Sequence, residues 1–214
     1  KGKGCVIESM KNMLFIMNPK AGRTTLKNSL VDVLEVFCNN DYAVRTYLTK
    51  SADDAERIVQ EEGANYDVIV CAGGDGTLGN TVTGYMKSGI RVPLGYIPCG
   101  STNDFARSMD IPRETVEAAE MIVKAEPFSI DIGSLNDKNF VYVAAFGMFS
   151  DTSYATPQNM KNIFGHAAYV LQGIKSLANV PSYKMKVTID GDEQEGELYS
   201  VWCPTRYPLE GLRV

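Results

Sequence analysis

Short apolar runs alternate with segments of helical periodicity through the first 126 residues, and this alternation restricts the chain more than any other feature. "MLFIM" (Met13 to Met17), "YAVRTYL" (Tyr42 to Leu48), "DVIVCA" (Asp67 to Ala72) and "VPLGYIP" (Val92 to Pro98) read as strands. Between the first two, Leu26, Leu30, Val33, Leu34 and Phe37 recur at a spacing that forms one apolar helix stripe. Asp53 followed by Glu56 reads as a capping pair that starts a second helix, and Leu78, Val82, Tyr85 and Met86 mark a third. Further helices are expected around Asn103 to Met109 and Glu114 to Lys124. Strands joined by crossover helices build a largely parallel sheet with helices on its faces, so the fold class is α/β. The uninterrupted hydrophobicity of "DVIVCA" places that strand in the centre, covered on both sides.

Near Pro127 the pattern changes. "FSIDIGSL", "NFVYVAAF", "YKMKVTID" and "GELYSVW" read as strands, with turn residues at Asn136-Asp137 and Asp190-Gly191 and one helix from about Met160 to Ala178. Two domains are expected, residues 1–126 as an α/β unit and 127–214 as a mainly β unit. Twenty-one basic against 26 acidic residues leave a net charge of −5, which offers no electrostatic footprint for nucleic acid. A local patch can still meet a membrane surface. The longest strongly apolar run, Phe140 to Phe149, is too short to span a bilayer, and the first residues carry no secretory core. A cytoplasmic location is expected. The five cysteines lack C-x-x-C spacing, which argues for reduced, mostly buried thiols rather than disulfides or a zinc site.

Three loops fall where a parallel sheet presents its ligands, beyond the carboxyl ends of strands. "NPKAGR" follows the first strand, "GGDGT" the third and "PCGSTNDFAR" the fourth. Each alone is an ordinary turn with helix-capping residues. Together on one sheet edge they point to a bound ligand. The turn at Gly73-Gly74-Asp75-Gly76-Thr77 sets backbone N–H groups at a helix N-terminus, a setting that favours a phosphate. It is not a Walker loop, since the nearest match, Gly95 through Thr102, lacks the lysine.

These three motifs, in this order, resemble the catalytic domain of the diacylglycerol kinase family, and "DIGSLNDKNFVYVAAFG" and "SYATPQNMKNIFGHAAYVLQGIKSL" extend the likeness to about Trp202. The resemblance implies a phosphofructokinase- or NAD-kinase-like α/β domain followed by a β-rich one. It further implies ATP as donor, lying along Asn18, Pro19, Lys20, Ala21 and Gly22, then Thr49, then Gly73, Gly74, Asp75, Gly76, Thr77, Leu78 and Gly79, and Ser101. Gly79 replaces the asparagine more usual there, and Ser101 replaces threonine while keeping the hydroxyl. The implied acceptor is diacylglycerol or a similar lipid, with contact at the inner membrane face and self-association both compatible.

A carboxylate among phosphate-binding glycines is understandable once Mg²⁺ stands between Asp75 and the phosphates, or once Asp75 serves the acceptor hydroxyl. Asp75 is therefore the candidate metal ligand and, with Asp104, a candidate catalytic residue. Asp104 also fits as a plain helix-terminal carboxylate, Asp131 as a loop-binding acid, and His166 as a structural residue. Ile163, Phe164, Tyr169 and Val170 suit either an acyl-chain cleft or ordinary core. The tail "SVWCPTRYPLEGLRV" shows none of the family's continuing features, and Pro204 and Pro208 are expected to interrupt any strand. The C-terminal part of the family is accordingly expected to be missing. Rival expectations are a nucleotide-binding fragment without catalysis and a kinase of NAD or another non-lipid acceptor.

Overall fold

The computed structural model describes residues 10–21, 25–136, 138–147, 182–189, 191–198 and 200–204. Four parallel strands, β1 (Lys11–Met17), β2 (Tyr42–Leu48), β3 (Val68–Gly73) and β4 (Leu94–Pro98), form one sheet in the order β2-β1-β3-β4. All six residues of β3 are buried, as its unbroken apolar sequence requires. Alternate side chains divide between the two faces. Met13, Phe15, Val68, Val70 and Ile97 pack beneath α1 (Thr25–Cys38) and α5 (Thr115–Lys124), where Phe15 and Phe37 meet edge to face at 5.6 Å. Leu14, Ile16 and Ile69 pack on α2 (Asp54–Glu62), and Cys71 and Tyr96 lie against α3 (Asp75–Ser88) and α4 (Asp104–Ser108). The result is the expected α/β layering of helices on both faces of a parallel sheet.

Helix ends differ from the expected pattern in one place. Asp53 makes no capping bond at the start of α2. Its neighbour Asp54 instead accepts from the backbone N–H groups of Lys50 (2.6 Å) and Ser51 (3.2 Å), while Glu56 faces Lys87 at 2.7 Å. The acid one position later reaches back into the loop, so the loop and not the first helical turn receives the bond. At α3 the apolar stripe is narrower than expected, because Met86 is exposed while Thr81 and Thr83 are buried. Gly89, at φ 68°, closes this helix through its N–H to the Tyr85 carbonyl, a conformation glycine adopts without cost. Helix α5 is capped by the Glu114 side chain, which accepts from Val116 and Glu117.

Beyond α5 the strands are shorter than the sequence pattern suggests. "FSIDIGSL" yields only β5 (Gly133–Leu135), hairpinned to β6 (Lys138–Phe140), and "NFVYVAAF" is split between β6 and β7 (Val143–Gly147). Asn136, at φ 53°, takes the left-handed conformation that this tight turn needs. Among the described residues the chain separates into two compact units, one ending at Tyr142 and one from Val143 to Pro204. The division falls later than residue 127 because the β5–β6 hairpin belongs with the parallel sheet, Asn139 donating to Thr83 Oγ1 at 3.4 Å. In the second unit β8 (Tyr183–Ile189) pairs antiparallel with β9 (Asp192–Leu198), Gly191 turning between them at φ 94°. Lys186 pairs with Glu193 at 2.7 Å across that hairpin. "GELYSVW" divides between β9 and β10 (Ser200–Pro204), and Pro204 occupies the last position of β10 rather than interrupting a strand. A terminal strand position tolerates proline's missing N–H. Pro208 and the helix expected over 160–178 lie outside the described residues. Cys71 and Cys99 are buried as expected, and Cys38 is exposed.

Candidate functional site

The strand order makes a topological switch point. From β1 the chain crosses to β2 on one side, then returns to place β3 on the other, so the loops after β1 and β3 diverge and leave a crevice. The register aligns the carboxyl ends, Met17 opposing both Leu48 and Ala72. One further bond per strand continues the ladder into the loops: Asn18 N–H to the Ala72 carbonyl (3.0 Å), Thr49 N–H to Met17 (2.9 Å) and Cys99 N–H to Gly73 (2.7 Å). Asn18, Thr49, Gly73 and the Gly100 turn are thereby brought to one rim.

Across the switch point, Asn18 Nδ2 donates to Thr77 Oγ1 at 3.0 Å while its Oδ1 accepts from Lys20 N–H at 3.0 Å. The first motif and the glycine loop are thus joined by a side chain. A β-carbon at Gly73 would meet Thr77 at 2.6 Å, so glycine is what lets Thr77 fold over the strand end. The N–H groups of Thr77 and Leu78 donate to the Gly74 carbonyl (3.0 and 3.1 Å). Those of Asp75 and Gly76 meet no acceptor among the described residues, and Gly76 has open space where a β-carbon would stand. Two outward N–H groups at the start of a 14-residue helix form a partial positive charge facing the crevice. Leu78 turns its side chain into the core, which leaves it only backbone to offer a ligand, and a β-carbon at Gly79 would stand 4.0 Å from the Asn139 carbonyl oxygen.

The third loop is locked against the second. A β-carbon on Gly100 would lie 2.6 Å from the Gly74 Cα, so these turns touch backbone to backbone. Asn103, buried and left-handed (φ 52°, ψ 55°), clasps Gly100 twice, its Oδ1 accepting from the Gly100 N–H and its Nδ2 donating to the Gly100 carbonyl, both at 2.8 Å. The Tyr96 hydroxyl donates to the Gly73 carbonyl at 3.1 Å, and burial foremost, then the charge of Asp75, pushes its pKa above the usual tyrosine range. Asp75 Oδ1 accepts from the Phe105 N–H at 3.4 Å, which ties the carboxylate to the first turn of α4. Neither Tyr96 nor Asn103 is among the sequence-predicted site residues. An asparagine in a glycine-rich turn, able to enter the left-handed region, is the one signal that could have found Asn103.

Pro19, Lys20 and Ser101 are exposed on the rim, Ala21 packs on the core beneath it, and Asp104 is half-buried at the start of α4. Gly22, His166, Ile163, Phe164, Tyr169 and Val170 lie outside the described residues, and Asp131 is exposed. Among the described residues no three acidic, histidine or cysteine side chains gather as a metal cage. Magnesium fits Asp75 nonetheless, because this ion keeps waters and binds through one or two carboxylates plus substrate phosphates.

Parallel strands with a polar rim at their switch point define a doubly wound α/β domain whose polar loops gather at its carboxyl edge. The family model described as diacylglycerol kinase catalytic domain matches residues 12–135, and the chain belongs to that family. It is 36% identical over 191 residues to a diacylglycerol kinase of Bacillus subtilis (strain 168), covering 88% of this chain and 63% of the relative. A Staphylococcus aureus (strain JH9) diacylglycerol kinase is 35% identical, with 87% and 60% covered. The chain therefore spans less than two thirds of the length of these relatives. A crystal structure of a diacylglycerol kinase from Bacillus anthracis str. Sterne superposes with a TM-score of 0.69 at 29% identity, covering 90% of this chain and 63% of that one. Among the described residues no helix is long and apolar enough to cross a membrane.

Proposed function

We propose that the chain is the ATP- and Mg²⁺-dependent phosphotransferase part of a lipid kinase, moving the γ-phosphoryl group to the hydroxyl of diacylglycerol or a similar lipid. The unit that ends at Tyr142, with the parallel sheet, would bind nucleotide, and the unit from Val143 to Pro204 would form part of the β-rich lipid domain. The observation that carries this reading is the pair of outward N–H groups at Asp75 and Gly76, set between the Asn18 and Gly100 turns. They suit phosphate oxygens. Thr77, oriented by Asn18, and Ser101 add hydroxyls on either side. Lys20 is the cation on the same rim, and Thr49, with its N–H fixed to Met17, edges the adjoining strand.

In the reaction a bond forms between the acceptor oxygen and phosphorus, the bond to the ADP oxygen breaks, and the hydroxyl proton passes to a carboxylate of the site or to solvent water. Catalysis of this kind rests on positioning and charge neutralisation. Asp75 is the residue that would hold Mg²⁺, whose contribution when bound is to offset phosphate charge; its carboxylate is alternatively placed to orient the acceptor. Asp104 is the second acid on the rim. A lipid acceptor brings the protein to a membrane surface without requiring a span, which agrees with a cytoplasmic protein acting peripherally at the inner face.

The test offers purified protein labelled ATP and Mg²⁺ with diacylglycerol, a sphingoid base and NAD in parallel. Label in diacylglycerol is expected. Label in NAD alone, or ATP binding with no transfer to any acceptor, would replace this reading with a different kinase or a nucleotide-binding module. Asp75→Asn is expected to reduce turnover by about 10³-fold or more while keeping most ATP affinity by calorimetry. Full turnover in that variant would remove Asp75 from the chemistry.

A further inference from the structure

Tyr96 sits in β4 on the face covered by α3 and α4, only 4% exposed, with its ring 6.1 Å from that of Phe105. Packing explains the ring but not the hydroxyl, since a phenylalanine would fill the same space. The hydroxyl carries one hydrogen and faces two acceptors, the Gly73 carbonyl at 3.1 Å and Asn103 Oδ1 at 3.4 Å. One acceptor belongs to the turn that opens α3. The other belongs to the side chain that closes the Gly100 turn.

The location of this hydroxyl is where the sheet can no longer help. The Cys99 N–H to the Gly73 carbonyl is the last backbone bond joining β3 to β4, and beyond it the two chains separate into independent turns. Their backbones still touch at Gly74 and Gly100. That contact is apolar and non-directional. A side-chain route also joins them: the Gly73 carbonyl, which holds the Cys99 N–H, faces the Tyr96 hydroxyl, whose single hydrogen is shared with Asn103 Oδ1, and the Asn103 carboxamide binds both backbone groups of Gly100.

We propose that Tyr96 is a positioning residue of the rim, its hydroxyl registering the β3–α3 turn against the β4–α4 turn through Gly73 and Asn103. A slip between these turns moves the outward N–H groups of Asp75 and Gly76 relative to Ser101 and Phe105, so nucleotide affinity follows the register; this consequence rests on the nucleotide reading above. Burial keeps the phenol protonated, and the donor is present throughout the neutral range.

Tyr96→Phe removes the donor and keeps the ring. Amide hydrogen exchange without nucleotide reads the register directly, because the Gly100 N–H donates to Asn103 and the Phe105 N–H to Asp75. Exchange at these two amides is expected to rise about tenfold while amides in the middle of β1 stay unchanged. Mg²⁺-ATP is expected to bind about fivefold more weakly by calorimetry, with the KM for ATP rising more than kcat falls. Asn103→Gly, which keeps the left-handed backbone, should show the same loosening, and adding Tyr96→Phe to it should change exchange by less than about twofold. Unchanged exchange in Tyr96→Phe, or fully multiplicative effects in the double variant, would overturn the proposal. Should the unaltered protein bind no ATP while both amides still respond to Tyr96→Phe, the nucleotide reading fails and the register stands.

Discussion

A β-carbon at Gly100 would lie 2.6 Å from the Gly74 Cα and 2.7 Å from Asn103 Oδ1, whereas one at Gly76 would meet nothing within 4 Å. Gly100→Ala must therefore push two turns apart, and a stability loss of about 1–3 kcal/mol by urea unfolding is expected, with weaker nucleotide binding. Gly76→Ala should instead stabilise the helix by up to about 0.5 kcal/mol. If phosphate occupies the space beside it, the same variant will bind Mg²⁺-ATP more weakly, so stability and affinity move in opposite directions. A more stable variant with unchanged affinity would place the phosphate elsewhere. Among single residues, the turn at Gly73, Gly74 and Asp75 is legible in the sequence because a glycine doublet ends an apolar strand there, though such a doublet alone marks only a turn and its company with the other two loops is what suggests a ligand. Tyr96 is not, since a tyrosine in an alternating strand serves a core equally well.

Helices α2 and α3 approach so closely that a β-carbon on Gly84 would meet the Glu56 carbonyl at 2.5 Å and Val59 Cβ at 3.0 Å. This contact holds α3, and with it the rim N–H groups, at its height above the sheet. Gly84→Ala is expected to cost about 1–3 kcal/mol, read as a lower urea midpoint, because backbone cannot yield as a flexible side chain can. Asn80 adds a second tie, its Nδ2 donating to the Ala52 carbonyl at 2.7 Å and linking α3 to the loop that carries Thr49. The apolar stripe of α1 is readable from spacing and that of α3 only at Leu78 and Val82, while which acid serves the start of α2 is not. Asp53 and Asp54 are adjacent, and only the path of the preceding loop decides that Asp54 receives the Lys50 and Ser51 N–H groups. The Lys50 bond foremost lowers the Asp54 pKa, so what this carboxylate contributes is present above the ordinary aspartate range and fades as pH falls.

For the molecule as a whole, the buried thiols make stability sensitive to base. Burial pushes Cys71 up to about 12 and Cys99 up to about 11, from an ordinary value of 9.0. Unfolded chains lose these protons first, so rising pH between the ordinary value and the raised ones favours unfolding. The urea midpoint is expected to be lower at about pH 10 than at about pH 8. Alkylation followed by peptide mapping should find Cys38 modified in the native protein and Cys71 and Cys99 modified only in urea.

Sequence alone carried the number of parallel strands, the helices between them, the covered position of β3 and the three polar loops, because strand and helix periods and glycine turns are local properties. It did not carry the order β2-β1-β3-β4, nor the meeting of Gly74 with Gly100, nor the clasp of Asn103 and Tyr96 that registers them. Those depend on which side of β1 the second crossover returns to and on how closely two backbones approach. Such distances are set by packing across the sheet between residues far apart in the chain, and no periodicity along it records them.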